Sequence, residues 1–271
     1  MIDKDKMIMK QFPADVVIKD HIQGSDKSNY ELFLVEFLNK SPYFMQKTDG
    51  VEFQYNTDQS HGECDCYSDD YGIDFKLLGS ESSFMAQSLL SLQEVEITNG
   101  ISVKAPKGRV KELPAIRLHA ALKKYNLNEL LQIEINDLPS KKDDNYLLLR
   151  DIKSVLDTVS KHKNMLFFMN YYITYDSSES IDEKEVIAFL TDGLEMCFST
   201  LFEYRYMKCG ECFETFISII YESDFVVFKV TNGKFAYVDK VSVGESETFK
   251  YLNRYTFPPR EYMKRINSVT E

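Results

Sequence analysis

The chain has no tryptophan, no apolar run near the roughly 20 residues that a membrane-spanning helix requires, and no excess of positive charge. Each absence narrows the reading. The first six residues, Met1-Ile2-Asp3-Lys4-Asp5-Lys6, are charged and lead into no apolar segment of signal-peptide type. A cytoplasmic protein with no membrane partner is the expectation. Five cysteines, an odd number without a secretion signal, point to reduced thiols rather than a disulfide framework. A formal net charge of −11 counts against a stand-alone nucleic-acid binder, whose surface needs a basic footprint. Any nucleic acid would be met by a local basic cluster or presented by a partner subunit. There is no GxSxG, no Walker-type phosphate loop and no Rossmann glycine fingerprint, which weighs against serine hydrolase, NTPase and dehydrogenase chemistry.

What the chain does have is ring-bearing side chains. Tyrosine and phenylalanine number 17 and 19, a supply that favours β-rich packing. At 271 residues the chain can form one large domain or two smaller ones. A helix is expected from Ser28 or Asn29 to about Lys40, with Tyr30, Phe33, Leu34 and Phe37 on its apolar stripe. Val51 to Tyr55 alternates as a strand. Helices are expected over 83–92, 113–125 and 141–163, the last with Leu147, Leu148, Ile152, Val155, Leu156 and Val159 on one face. Asn99-Gly100 marks a tight hairpin. The run Met165 to Ile173 suits a strand covered on both faces. Ser177-Ser178-Glu179-Ser180 reads as a linker. A helix over 181–206 and strands over 212–243, with a hairpin turn at Thr231-Asn232-Gly233, would follow it.

The chemistry concentrates in Gly62 to Leu78, which reads as a β-hairpin turning at Ser68-Asp69-Asp70-Tyr71. Ser68 then pairs with Tyr71 and Cys66 with Ile73, so Asp65 falls opposite Asp74 and Glu63 opposite Lys76. Alternation gathers Glu63, Asp65, Asp74 and Lys76 on one face and puts Cys64, Cys66, Ile73, Phe75 and Leu77 on the other. Opposed carboxylates repel, and a hard cation such as magnesium would reverse that sign. The bland alternative is a solvated charged face with a Glu63–Lys76 ion pair of little consequence.

Asp65, eight residues, then Asp74-Phe75-Lys76 resembles the D…(D/E)xK signature of the PD-(D/E)xK restriction-endonuclease-like nucleases, with Cys64 where the proline usually stands. The family's upstream helical glutamate is matched by Glu31, with Glu36 as the alternative. The resemblance covers the first third of the chain. It implies an α/β fold: a restriction-endonuclease-like mixed sheet flanked by helices over 1–176, followed by a smaller α+β module over 181–271. It also implies magnesium- or manganese-dependent hydrolysis of DNA phosphodiesters. Asp65, Asp74, the Phe75 carbonyl and Glu31 would hold the metal, and Lys76 would position the attacking water. A protein partner and a role in restriction or phage defence would suit the acidity.

Lys104, Lys107, Arg109 and Lys111 form the densest basic cluster. They are candidate phosphate contacts, though short charge runs are more often plain surface. Cys209-Gly210-Glu211-Cys212 has half the spacing of a zinc knuckle. No second CxxC follows, so zinc is not expected. His21, His61, His119 and His162 are scattered. A competing reading of another class is a non-catalytic adaptor that binds a protein through its β-rich C-terminal half.

Overall fold

The structure, a computed structural model, describes residues 7–11, 16–18, 27–56, 62–78, 101–103, 156–175 and 181–242. It is a mixed α/β architecture. The strands are β1 (Met7–Gln11), β2 (Val16–Ile18), β3 (Lys27–Ser28), β4 (Gln54–Tyr55), β5 (Cys66–Ser68), β6 (Tyr71–Leu78), β7 (Ile101–Val103), β8 (Met165–Tyr175), β9 (Thr215–Tyr221), β10 (Asp224–Thr231) and β11 (Lys234–Ser242). The helices are α1 (Asn29–Lys40), α2 (Pro42–Lys47) and α3 (Glu183–Cys209). Eight strands form one sheet in the order β11-β10-β9-β8-β6-β5-β4, with β1 also paired to β8; β3, β2 and β7 form a small separate sheet. β6, β8 and β9 run parallel, and the remaining pairs are antiparallel.

β8 is the centre of this sheet, and its apolar run is buried on both faces as expected. Met165, Phe167 and Met169 join the core under α3, while Leu166 and Phe168 join the core under α1 and α2. α3 presents Val186, Leu190, Leu194, Phe198 and Leu201 at helical spacing to one face. Phe33, Leu34, Phe37 and Phe44 cover the other, with Phe37 stacked on Phe225 at 3.9 Å. β8 and β9, on either side of the expected linker at 177–180, pair in the same sheet with α3 as their crossover. α3 starts later than expected because the Asp182 carboxylate accepts the Lys184 N–H, and it stops at Gly210, where φ is 62°. Asn232 and Gly233 both take positive φ, as their hairpin turn requires. A side chain at Gly233 would also stand 2.7 Å from the Ser199 carbonyl of α3.

Three expected elements are shorter than the sequence pattern suggests, each for a local reason. The strand expected over 51–55 is only Gln54–Tyr55. The Asn39 side chain takes both backbone groups of Phe53, accepting its N–H at 2.7 Å and donating to its carbonyl at 3.0 Å. The helix expected to reach Lys163 ends at 159, where the buried guanidinium of Arg205 accepts no further turn: it donates to the carbonyls of Val159 (3.0 Å), Lys161 (2.8 Å) and Lys163. The first arm of the acid hairpin is only three residues long, for reasons given below. The helices expected at 83–92, 113–125 and 141–155, the Asn99-Gly100 turn and the basic cluster Lys104, Lys107, Arg109 and Lys111 lie outside the described residues.

A second polar knot locks the N-terminal ends of the parallel strands. Glu214, just before β9, accepts from Lys47 Nζ (2.6 Å), Lys229 Nζ (2.7 Å) and the Tyr71 hydroxyl (2.5 Å). Burial alone would raise the Glu214 carboxyl, but these three donors prevail and hold it at about 2, below its ordinary 4.5. A depressed carboxylate contributes stability that is complete above the unfolded value and lost as pH falls through the folded one. Acid unfolding should therefore draw on this knot between pH 4.5 and about 2. Glu214→Gln should cost roughly 2 kcal/mol at pH 7, because two lysines lose their anion. Its denaturation profile should be flatter than wild type across that acid window. An acid limb as steep as wild type would place the titrating group elsewhere.

Candidate metal centre at a sheet edge

The hairpin forms in the expected register, Ser68 with Tyr71, Tyr67 with Gly72 and Cys66 with Ile73. Asp69 at the turn takes φ 45°, which aspartate tolerates better than most residues. Beyond Cys66 the two arms part. Asp65 is not on a regular strand, and its carboxylate Oδ2 accepts the Phe75 N–H at 2.6 Å, replacing the backbone acceptor that a continued β5 would supply. Its own carbonyl accepts from the Asn56 N–H at 2.9 Å. The expected gathering of Glu63, Asp65, Asp74 and Lys76 on one face is thus corrected: the Asp65 carboxylate lies along the edge of β6, and Glu63 has left the ladder. The Glu63–Lys76 pair does not form among the described residues.

Gly72 explains the departure. A Cβ there would stand 2.8 Å from Cys64 Sγ, so its absence lets the 62–65 segment cross β6. Cys64 accordingly sits half-buried over Gly72, on the Asp74 side. It is not beside Cys66 in the apolar core, as alternation had implied.

The two faces of β6 carry different chemistry. Ile73 and Phe75 belong to the core under α1, so Asp74 and Lys76 alternate onto the α3 side together with Leu78. Asp74 is 4% exposed. Among the described residues its ion-pair partner is one the motif did not suggest: Lys163, in the loop before β8, places Nζ 3.5 Å from Asp74 Oδ1 and donates to the Glu63 carbonyl at 2.6 Å. Glu31 projects from α1 on the other side and accepts from the Tyr55 hydroxyl at 2.7 Å, while the alternative, Glu36, pairs with Lys40 at 2.6 Å. Burial, and then the hydrogen bond to Glu31, raise the Tyr55 phenol well above its ordinary value.

Asp65 stands between the two faces and feels both. Burial pushes its carboxyl up to about 6 from 3.8, and the charges of Asp74 and Glu31 push the same way. The Phe75 N–H and Lys76 oppose them. In a strand the N–H and C=O of one residue point to the same edge, so the Phe75 carbonyl shares the Asp65 side of β6. Among the described residues no group of three or more His, Cys, Asp or Glu side chains is close enough to hold a metal. What the edge offers is two acids within charge range and a backbone carbonyl. That fits magnesium, which commonly takes one or two carboxylates and keeps several waters. Cys209 is buried, between Arg205 and the Lys161 carbonyl, and Cys212 is exposed.

No protein-family model matches the chain, and no curated protein or solved structure does. The chemistry of the edge has to be argued from its own residues. No helix among the described residues is long and apolar enough to cross a membrane.

An acid held above its unfolded value costs stability wherever it is ionised. Below pH 3.8 neither state of Asp65 is charged and there is no cost. Between 3.8 and about 6 the folded state retains the extra proton, so stability falls as pH rises, and above 6 the cost is complete. Asp65→Asn keeps an oxygen for the Phe75 N–H and removes the charge. It should stabilise the metal-free protein by roughly 2 kcal/mol at pH 7.5, with a gain that shrinks as pH falls to 4.5. Chemical denaturation at the two pH values measures this. A destabilised variant at pH 7.5 would mean that the carboxylate is satisfied as it stands.

Proposed function

We propose that this protein is a divalent-metal-dependent nuclease of the PD-(D/E)xK, restriction-endonuclease-like type, acting on DNA phosphodiester bonds. The observation that carries the reading is the sheet edge at which Asp65 feels the charges of Asp74 and Lys76, with the Asp65 carboxyl raised by burial and by Asp74 to about 6. Proteins seldom accept such a cost without a use, and a cation is the partner that removes it. The mixed sheet with parallel β6 and β8, covered by helices on both faces, is compatible with that fold.

In this reading Asp65, Asp74 and the Phe75 carbonyl hold the ion. Glu31 orients the shell through Asp65, because α1 lies on the opposite side of the sheet. When bound, the ion supplies positive charge against an attacked phosphoryl oxygen. Lys76, two residues from Asp74 on one strand, brings Nζ to the same side, where it holds the attacking water and stabilises the charge developing on the phosphate. The net charge of −11 leaves phosphate binding weak and sensitive to salt, so a partner subunit would present the DNA. The competing adaptor reading draws on Lys163, which already offsets the Asp74 charge without any metal.

Magnesium or manganese should raise the thermal midpoint of the wild type and leave Asp74→Asn unmoved, because only the former binds the ion in its folded state. With a divalent ion, at low salt, the protein alone or with its native partner should nick or cut DNA. Lys76→Ala should cut at least about 100-fold more slowly with an unchanged midpoint. Cleavage retained by Lys76→Ala, with a midpoint indifferent to metal in both proteins, would leave the adaptor reading standing.

A further inference from the structure

Among the described residues, Lys163 is the only lysine or arginine forming an ion pair with a carboxylate of the edge, and it lies 89 residues from Asp74 in sequence. Its main chain is fixed from both sides. The Lys163 carbonyl accepts from Arg205. The next residue, Asn164, donates to the Gly72 carbonyl at 3.2 Å and accepts the Glu214 N–H at 2.8 Å. The side chain is different. It is a flexible four-carbon stem, 22% exposed, ending in a point charge. Its ammonium ties the 62–65 segment to β6 through the Glu63 carbonyl and Asp74. The contact to Asp74, at 3.5 Å, is ionic and too long to be a strong hydrogen bond.

We infer that Lys163 is a resident counter-cation of the acid edge, exchanged for the divalent ion. This rests on the metal-dependent reading above and adds how the site is kept when no ion is bound. An ammonium and a divalent ion that draw on the same Asp74 oxygen compete for it, so the ion takes that oxygen only as the ammonium leaves it. As the ion takes Asp74, Lys163 Nζ withdraws along its exposed stem while its backbone stays clamped by Arg205 and Asn164. The displaced ammonium then stands at the mouth of the site, where a phosphate oxygen of the nucleic acid replaces the carboxylate it has lost.

Lysine acylation read by mass spectrometry tests this on the wild-type chain, with and without magnesium, alongside manganese binding followed by electron paramagnetic resonance. Magnesium should raise the labelling of Lys163 several-fold and leave that of Lys40, on the surface of α1, unchanged. Lys163→Gln should bind manganese on the order of tenfold more tightly, since a charged contact no longer competes. Lys163→Arg should keep the wild-type affinity. Lys163 labelling indifferent to saturating magnesium, or a Lys163→Gln affinity equal to or weaker than wild type, overturns the exchange. If manganese binds the wild type and is lost in Asp74→Asn while Lys163 is indifferent, the exchange alone fails. If manganese does not bind the wild type, or binds Asp74→Asn as well, the metal reading fails and the exchange with it.

Discussion

The guanidinium of Arg205 is 1% exposed and forms no ion pair with a carboxylate among the described residues. A buried cation without a contacting anion depends on hydrogen-bond acceptors around it. Here backbone supplies most of them: the carbonyls of Val159, Lys161 and Lys163 accept from the guanidinium, and Nε donates to the Thr215 hydroxyl at 2.7 Å. One side chain on α3 therefore ends a helix, shapes the loop 160–164 and ties the starts of β8 and β9 together. That loop then sets the site. Its Asn164 carbonyl accepts the Asp74 N–H at 2.9 Å, and the Glu214 carbonyl accepts the Met165 N–H at 2.9 Å, which fixes the parallel register of β6, β8 and β9. Burial lowers the Arg205 guanidinium below its ordinary value, and Cys209 and then Asp74 oppose that lowering. The clamp and the acid edge are thus electrically linked as well as mechanically joined.

Much of this was legible in the sequence wherever the signal is local. The hairpin register followed from the turn at Asp69-Asp70 and from alternation. The burial of the first half of β8 followed from a near-continuous apolar run, and the β10–β11 turn from Asn232-Gly233. These elements carry their instructions within a few residues. The places where expectation and structure part company are those where a distant group takes over a backbone bond. Asn39 satisfies Phe53 and shortens β4; Arg205 caps the helix at 159; Asp65 itself takes the Phe75 N–H and ends β5. Lys163 carried no local signal, because Asp74 lies 89 residues away in sequence, and two of the three donors to Glu214, Tyr71 and Lys47, lie 143 and 167 residues away. Gly72 was a readable clue to the crossing of Cys64, since glycine inside a strand marks close backbone approach.

The two polar clusters at this end of the sheet differ in electrostatic character, and the contrast is the reason the proposed chemistry is put at one of them. Glu214 has three donors and a carboxyl held down at about 2, so it is satisfied, and its work is to fasten strands. Asp65 has one backbone donor, two acids near it and a carboxyl held up at about 6, so its folded environment resists its charge. Lys47 and Lys229 are both spent on Glu214. Structural networks settle toward full pairing, while sites that bind ions keep charge in reserve.

Geometry explains why that reserve sits at an edge and not on a face. Inside a sheet, a side chain belongs to one face or the other, and groups on α1 and α3 are separated by the full thickness of packed phenylalanines. Glu31 on the α1 side and Asp74 on the α3 side could not influence a common group through Phe75 and Phe168. Where β5 ends after three residues, the separation ends too. Asp65 lies along the opened edge, close enough to be shifted by Glu31 from one side and by Asp74 and Lys76 from the other. Shortening one strand by the crossing at Gly72 is therefore what converts four residues on two faces into a single electrostatic unit.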